Sequence, residues 1–216
     1  MRLALFDVDG TLIHGSSAEL EFMKYLLRHR KIGLLQGLAW LYFMCRWLPC
    51  YGTLIGKKNK AYLTAMKQAE VRHIAKEFVV DVLPRKIHAG ALARLQVHLR
   101  AGEPVVLLTG TPDFIAAPFA ELLGATDFRA SHYATQRGRF VAAPPLSHPY
   151  GPEKLRIARE LCVSYNLSMQ DVVAYADHHS DVKLLQSVGH PVVVSADRVL
   201  RATAQDNGWE MLDCNP

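Results

Sequence analysis

Two aspartates separated by one residue stand near the N-terminus, directly after a short apolar run. Asp7 and Asp9 follow Leu3–Phe6 and precede Gly10 and Thr11. On an extended segment, residues i and i+2 point to the same side, so the two carboxylates come close together. Like charges at that distance need a shared proton or a cation, and Mg²⁺ is a hard ion that prefers carboxylate oxygens. The pair therefore predicts a site that binds a metal or a proton.

The residues around this pair predict where it lies. The continuous apolar run of Leu3–Phe6, stopped by polar residues and glycine, predicts a short buried strand. In open α/β sheets, ligands bind at the carboxyl ends of the strands. Gly10 is expected to let the backbone turn tightly and to leave its N–H open to an anion. A bare Asp-x-Asp pair would more often be a polar strand end with a turn.

The elements that must position these residues alternate between strands and helices. Further buried strands are predicted at Val105–Leu108, Val172–Tyr175 and Pro191–Val194, each followed by a helical pattern. This alternation predicts an α/β fold with a doubly wound parallel sheet, covered on both faces. A loosely alternating stretch, Phe128–Val141, predicts a hairpin around Arg137 and Gly138.

The helices are predicted from caps and apolar spacing. Ser16 and Glu19 form a capping-box pattern that opens the first helix, which should run to about His29. The other predicted helices are Ile32–Trp47, broken by Pro49 and Gly52, then Asn59–Val80, Arg85–Leu99, a helix with Pro112 in its first turn that ends near Gly124, and Glu153–Tyr165.

Other polar residues follow the predicted strands at comparable positions. Thr109 and Gly110 come after Val105–Leu108, Asp177 follows Tyr175, and Asp181 stands four residues on. Lys154 lies at the start of its own helix. If the strands are parallel neighbours, these groups converge on one crevice, where a hydroxyl, backbone N–H groups and an ammonium suit a phosphate. Taken singly, each is as often a cap, a turn residue or a solvated lysine.

In this order, the motifs resemble those of the haloacid dehalogenase (HAD) superfamily of phosphatases, in the subgroup that includes phosphoserine phosphatases. The family pattern opens with DxDGT, which is matched by Asp7, Asp9, Gly10 and Thr11. A threonine after an apolar strand is matched by Thr109, and a Gly-x-x-Lys by Gly151 and Lys154. The last motif, normally GDSxxD, reads Ala176-Asp177-His178-His179-Ser180-Asp181. The motifs define the chemistry and leave the substrate open.

The resemblance implies a role for each matched residue. Asp7 would be the nucleophile that forms an aspartyl-phosphate, and Asp9 would be the general acid and base. Mg²⁺ would be held by Asp7, the backbone carbonyl of Asp9, and Asp177. The phosphate would be bound by Gly10, Thr109, Gly110 and Lys154, while Asp181 would orient the metal ligands or the lysine.

The last motif departs from the family pattern. Ala176 replaces glycine and His178 replaces serine, whereas both acids keep their spacing. The metal ligand is expected to survive, with loop geometry and metal preference left open. Asp177-His178-His179 also spells the DHH motif of another phosphoesterase class, whose other motifs are absent. A zinc site at His178 and His179 is disfavoured because no further ligands fall at suitable spacing.

Charge is concentrated in one block. From Phe22 to Ala69 the chain has nine lysines and arginines and no acid, whereas the remaining residues carry 16 basic and 20 acidic groups. Charge segregation on this scale suggests a separate unit that faces something anionic. The block falls in an insert that resembles the helical cap of the subgroup, which implies a cap over residues 14–84 between core segments 1–13 and 85–216. Ile32–Cys45 is uncharged and is flanked by basic and aromatic residues. Two interpretations stay open: a cap core helix with a solvated basic rim, or an interfacial helix on an anionic membrane.

Three functions are compatible with these patterns. The first is a Mg²⁺-dependent phosphomonoesterase that acts on a small, phosphoserine-like metabolite. The second is the same chemistry on a lipid phosphate at a membrane surface, since the apolar cap is partly similar to that of lipid phosphatases in the superfamily. The third, disfavoured by the intact acidic set, is a non-catalytic regulatory domain. No nucleic-acid partner is expected. The absence of a secretory signal predicts a cytoplasmic protein, peripheral at the inner membrane face if the cap binds lipid.

Overall fold

Residues 1–212, which the computed structural model describes apart from the side chain of residue 54, contain eight strands. They are β1 (Leu3–Phe6), β2 (Val105–Pro112), β3 (Asp127–Ser131), β4 (Thr135–Gln136), β5 (Arg139–Phe140), β6 (Val172–Ala176), β7 (His190–Val194) and β8 (Glu210–Leu212). Six of them form one sheet in the order β3-β2-β1-β6-β7-β8, and every neighbouring pair is parallel. The predicted parallel α/β sheet is confirmed, and β4 and β5 form a separate hairpin.

The same part of the chain forms nine α-helices. They are α1 (Ala18–Arg28), α2 (Leu34–Tyr51), α3 (Ile55–Lys58), α4 (Gln68–Asp81), α5 (Ala89–Arg100), α6 (Asp113–Leu123), α7 (Pro152–Tyr165), α8 (Val182–Leu185) and α9 (Arg198–Asn207). The first four lie in the insert between β1 and β2. None of these helices is both long and apolar enough to cross a bilayer.

Alternate side chains of β1 lie in two hydrophobic layers. Ala4 and Phe6 belong to a layer that they share with α1, α4, α5 and α6. Leu3 and Leu5 belong to a second layer, shared with α7, α8 and α9. Because successive strand residues point to opposite faces, an apolar strand of this kind is stable only when helices cover both sides.

Strand β1 lies at the point in the sheet where the strand order reverses. Its two neighbours are β2 on one side and β6 on the other. The backbone N–H of Asp7 donates to the carbonyl of Tyr175 at 3.0 Å, which ties the end of β1 to β6. The carboxyl ends of these strands form the crevice in which ligands of open α/β sheets bind.

The insert packs against the core through aromatic rings. Phe22 on α1 lies 5.3 Å from Phe78 on α4 and 5.6 Å from Phe114 on α6, measured between ring centroids. These contacts pack α1 against both α4 and the core helix α6. The boundaries 14–84 and 85–216 remain predictions.

Two helix predictions in the insert need correction. The predicted helix Asn59–Val80 is divided into a short 3-10 turn, Ala61–Leu63, and α4. Between them Ala65 has φ 65° and donates its N–H to the carbonyl of Phe140, because the chain pairs there with the β4–β5 hairpin. Pro49 does not end α2, which runs to Tyr51 and is capped by Gly52, so the helix contains one residue without the N–H that the i−4 carbonyl would accept.

Other element boundaries also shift. The N-cap of the first helix is Ser17, not the predicted Ser16. The side chain of Glu19 pairs with Lys60 instead. The hairpin at Arg137 and Gly138 forms, but Phe128 belongs to the parallel strand β3. Helix α5 begins at Ala89, after a 3-10 turn, and β8 was not predicted.

Candidate active site

One cavity of about 340 Å³ lies at the carboxyl ends of β1, β2 and β6. Seven of the eight predicted site residues line it: Asp7, Asp9, Gly10, Thr109, Gly110, Lys154 and Asp177. The eighth, Asp181, lies behind Lys154. A groove of about 700 Å³ lies elsewhere, along the amino ends of the strands and beside β7 and β8, and it contains none of these eight residues. The chemistry therefore belongs to the smaller cavity.

Lys154 joins two of the acids. Its Nζ lies 3.1 Å from Oδ1 of Asp7 and 2.7 Å from Oδ2 of Asp181, and both Lys154 and Asp181 are buried. Burial alone would lower the pKa of the lysine, but the charges of Asp7 and Asp181 outweigh it and raise the pKa above its usual value. The ammonium is thus held charged directly beside the Asp7 carboxylate.

Asp9 is held by the start of helix α1. Its Oδ1 accepts the N–H of Ala18 at 2.6 Å, and its Oδ2 accepts the hydroxyl of Thr111 at 3.1 Å. Burial, only partly offset by the Ala18 N–H, raises the pKa of Asp9 to about 6, with the nearby charge of Asp7 adding to the rise. A carboxyl group with this pKa can exchange a proton near neutrality, as a general acid and base must.

Thr111 is a site residue that the sequence analysis missed. The hydroxyl of Thr109 donates to Oγ1 of Thr111 at 3.0 Å and accepts the Thr111 N–H at 3.1 Å. The two threonines and Asp9 therefore form a continuous hydrogen-bonded chain. The available signal was the i, i+2 spacing of the threonines, which places both on one face of β2.

Gly10 meets a different structural constraint from the predicted one. Its N–H donates to the carbonyl of Ile13 at 2.9 Å, so it is not open to an anion as expected. Gly10 has φ 84°, and a Cβ added there would lie 2.0 Å from Oδ2 of Asp177. Asp177 also accepts the hydroxyl of the buried Thr11 at 3.2 Å. The glycine makes room for the Asp177 carboxylate at the end of β1.

Replacing Gly10 by Ala should remove most of the phosphatase activity, by about 100-fold or more, because the new methyl group displaces Asp177 and 1 Å misplacements can cost that much. Gly102→Ala is the matched control, since Gly102 also has a positive φ but nothing lies within 4 Å of its Cβ position. Thermal unfolding should show that both variants lose about 1–2 kcal/mol of stability because of the left-handed backbone, and that Gly10→Ala loses more because of the clash, whereas steady-state kinetics should show that only Gly10→Ala loses activity. Full activity of Gly10→Ala would contradict this role.

The acids of the cavity fit a divalent cation. Burial raises the pKa of Asp7, and burial together with the charge of Asp7 raises the pKa of Asp177 to about 7. Lys154 contacts Asp7 and Asp181 but not Asp177, and Oδ1 of Asp181 is buried without a hydrogen-bond partner. Hard carboxylate oxygens suit Mg²⁺, and Asp177 in particular has no ion pair among the described residues.

A second cluster, His178, His179 and Asp197, has ligand atoms within 4.8 Å of one another. The third member is far away in sequence, which is why spacing could not reveal it. Oδ2 of Asp197 accepts both the N–H and Nδ1 of His179, at 2.7 and 2.9 Å, and its Oδ1 accepts the N–H of Leu200. Nδ1 of His178 accepts the N–H of Ser180 at 3.2 Å, so its proton is on Nε2. Both carboxylate oxygens of Asp197 and the Nδ1 atoms of the two histidines therefore have hydrogen-bond partners within the protein.

The insert contributes an acid and two lysines that were not assigned to the site. Glu19 lines the cavity, and its Oε2 lies 2.6 Å from Nζ of Lys60. The hydroxyl of Tyr62 donates to Oε1 of Glu19 at 3.3 Å. Lys60 is buried, although the sequence placed it among the exposed cations of the basic block. Lys57 lines the cavity mouth, with its ammonium 4.2 Å from the centre of the Tyr150 ring.

His148 is a further cavity residue, and its hydrogen bonds define its tautomer. The hydroxyl of Ser131 donates to the carbonyl of Gly110 at 2.7 Å, so Nδ1 of His148, also 2.7 Å away, must donate to Ser131. Nε2 is therefore an acceptor. Burial and the charges of Lys58, Lys60 and Lys57 lower the pKa of His148 to about 4, which keeps the ring neutral.

Known proteins share this fold and sequence pattern. The family model for haloacid dehalogenase-like hydrolases matches residues 4–186. Phosphoserine phosphatase SerB1 of Mycobacterium tuberculosis is 30% identical over 221 residues, which cover 97% of this chain and 70% of that protein. Histidinol-phosphatase of Neisseria meningitidis is 24% identical over 225 residues, which cover 98% of both. The crystal structure of a protein of unknown function from Bordetella pertussis matches with a TM-score of 0.82 and 25% identity, over 99% of both chains.

Proposed function

This chain belongs to the haloacid dehalogenase-like hydrolases and is a phosphatase of that family, and we propose that it hydrolyses the monoester of a small phosphorylated metabolite through a phosphorylated Asp7. The observation that carries this proposal is the position of Asp7. Its carboxylate lines the cavity, 3.1 Å from a buried ammonium, with the proton-exchanging Asp9 in the same cavity. This is the arrangement that an anionic nucleophile needs in order to approach an anionic phosphate.

In the first step, an oxygen of Asp7 attacks phosphorus as the bond from phosphorus to the ester oxygen breaks. Asp9 gives its proton to the departing alkoxide. In the second step, water attacks phosphorus, Asp9 takes the proton from that water, and the bond between phosphorus and Asp7 breaks. Proton transfer by a positioned carboxyl group typically contributes ~10²–10⁴-fold to the rate. Asp9 is therefore returned to its starting state at the end of each turnover.

The phosphoryl oxygens are bound by Thr109, Gly110 and Lys154 in this proposal. Lys154 neutralises charge as the transition state forms, and Asp181 acts as a positioning residue because it holds the lysine at 2.7 Å. When the Thr109 hydroxyl turns its hydrogen to the phosphate, it still accepts the N–H of Thr111, whose own hydroxyl donates to Asp9. In this proposal Gly10 makes room for Asp177 and does not donate its N–H to the phosphate.

Asp7 and Asp177, with the backbone carbonyl of Asp9, would hold Mg²⁺. The bound ion would offset the repulsion between the Asp7 carboxylate and the phosphate. The altered residues Ala176 and His178 do not remove these ligands. Ala176 is buried in β6, and His178 lines the cavity with its Nδ1 engaged by the turn that leads to Asp181.

The insert would act as the cap that selects the substrate. Glu19 and Lys57 reach the cavity from it, and His148 reaches the cavity from the core. The related phosphoserine phosphatase and histidinol-phosphatase support a small alkyl phosphate as the substrate class. A screen of phosphorylated metabolites, including phosphoserine, histidinol phosphate and lipid phosphates, with Mg²⁺ and with EDTA, tests this proposal. Hydrolysis that EDTA does not suppress would contradict it.

His148 offers an acceptor to the substrate. Replacing it by Phe keeps a ring against Gly110 but removes Nε2, so we expect KM for a substrate with a hydrogen-bond donor to rise roughly 3- to 10-fold. The KM for p-nitrophenyl phosphate, which lacks such a donor, should not change. His132→Phe is the control, since His132 is exposed and does not line the cavity. An equal effect on both substrates would contradict a role in substrate selection.

A further inference from the structure

Helix α2 leaves an apolar face uncovered along its whole length. Leu34, Leu38, Leu41, Cys45 and Leu48 follow one another at spacings of four and three residues, which places them in one stripe on the helix. The four leucines are 80%, 57%, 55% and 52% exposed. Single exposed apolar residues are ordinary, but a continuous stripe of this size marks a surface that binds something.

The opposite face of α2 fixes the helix to the insert. Phe43 is the one fully buried side chain among the described residues of α2, and it packs with Ile55 and Ala61. Gln36 donates to the carbonyl of Thr64 at 3.1 Å, and Asn59 donates to the carbonyl of Trp40 at the same distance. The leucine stripe is therefore held outward by contacts on the other side of the helix.

The surroundings of the stripe are cationic. Arg28, Arg30 and Lys31 precede α2 by a few residues and are exposed, and Arg46 lies on the helix itself, with its guanidinium 4.7 Å from the centre of the Trp47 ring. Beyond the C-terminal end of α2, Lys57 is also exposed. The stretch from Phe22 to Ala69 contains no acid, although Lys31 pairs with Glu70, just beyond it, at 3.2 Å.

This combination favours an anionic lipid surface over a second copy of the chain. Two copies packed stripe to stripe would bring their own arginines together, with no acidic residue in this stretch to pair with them. A bilayer with anionic headgroups would accept the leucines and attract the flanking cations. We propose that the outward face of α2 lies on the surface of anionic membranes, with the helix axis parallel to the bilayer.

The position of α2 links this surface to the cavity. Helix α3 follows α2 after a single short turn, and its Lys57 reaches the cavity mouth over the ring of Tyr150. A protein bound through α2 would hold the cavity mouth near the headgroups. Docking does not depend on the phosphatase chemistry, so binding can be measured whether or not the proposed function is correct.

The test is vesicle flotation at low and at high salt. The intact protein should float with vesicles of phosphatidylcholine mixed with phosphatidylglycerol, less at high salt, and should not float with phosphatidylcholine alone. Leu38→Gln/Leu41→Gln should lower the affinity at least tenfold, whereas the control Leu122→Gln/Leu146→Gln, which alters two exposed core leucines, should not. Hydrolysis of p-nitrophenyl phosphate in solution should be the same in all three proteins.

The cations are tested separately. Arg28→Gln/Arg30→Gln/Arg46→Gln should weaken binding roughly fivefold per cation, while Lys183→Gln/Arg198→Gln, which alters exposed cations of the core, should not. Failure of the intact protein to bind anionic vesicles at low salt would overturn the proposal. So would a dimer in solution that dissociates in Leu38→Gln/Leu41→Gln, because a second copy would then cover the stripe.

Discussion

Replacing Asp7 by Asn should lower kcat by on the order of 10⁴-fold or more, because an amide is neither a competent nucleophile nor a good metal ligand. The protein should still fold, because burial already disfavours the negative charge of Asp7 that the change removes. Steady-state hydrolysis of p-nitrophenyl phosphate with Mg²⁺, together with a thermal unfolding curve, measures both effects.

Asp9→Asn provides the comparison for that result. Its loss should be smaller, roughly 10²–10⁴-fold, because it removes proton transfer and leaves the nucleophile in place. The exposed Asp206→Asn, on α9, is the control and should be fully active. Activity of Asp7→Asn within tenfold of the wild-type value would show that Asp7 is not the nucleophile.

Replacing Lys154 by Met should have the second largest effect, because it removes activity and stability together. Without the ammonium, the carboxylates of Asp7 and Asp181 lose their partner at 3.1 and 2.7 Å. Breaking a buried ion pair from one side typically costs about 3–5 kcal/mol, and the phosphate loses its buried cation as well. Chemical denaturation and kinetics measure the two losses independently.

The double variant Lys154→Met/Asp181→Asn separates the two losses. Removing the unpaired Asp181 charge should restore a large part of the stability, but activity should stay as low as in the single variant. Lys183→Met, an exposed lysine, is the control for the substitution itself. If the double variant regained activity as well as stability, Lys154 would be a structural residue and not a phosphate ligand.

The parts of the site that could be predicted are those that depend on local geometry. The positions of Asp7 and Asp9 are set by β1, which precedes them. The positions of Thr109 and Asp177 are set by β2 and β6, the strands on either side of β1. Because parallel strands bring their carboxyl ends to the same edge of a sheet, the strand assignment brings these residues together once the strands are assumed to be parallel neighbours.

The parts that could not be predicted depend on contacts between distant residues. Asp197 reaches His179 across 18 residues, and Glu19 pairs with Lys60 across the insert. Composition placed Lys60 among exposed cations, since a lysine is buried only when a partner such as Glu19 is present. Gly10 was predicted to offer its N–H to an anion, whereas that N–H is bonded to Ile13 and the space beside Gly10 is filled by Asp177, which follows a different strand.

The central claim, that Asp7 carries the phosphoryl group during turnover, is tested most directly by rapid acid quench and mass spectrometry. The protein is mixed with a phosphomonoester and Mg²⁺, quenched with acid within one turnover, and digested with pepsin at low pH, where an acyl phosphate survives. A peptide that contains Asp7 should gain the mass of one phosphoryl group at that residue, and alkali or hydroxylamine should remove it. Phosphate release with no modified Asp7 at any time point, or with the phosphoryl group on another residue, would contradict the mechanism.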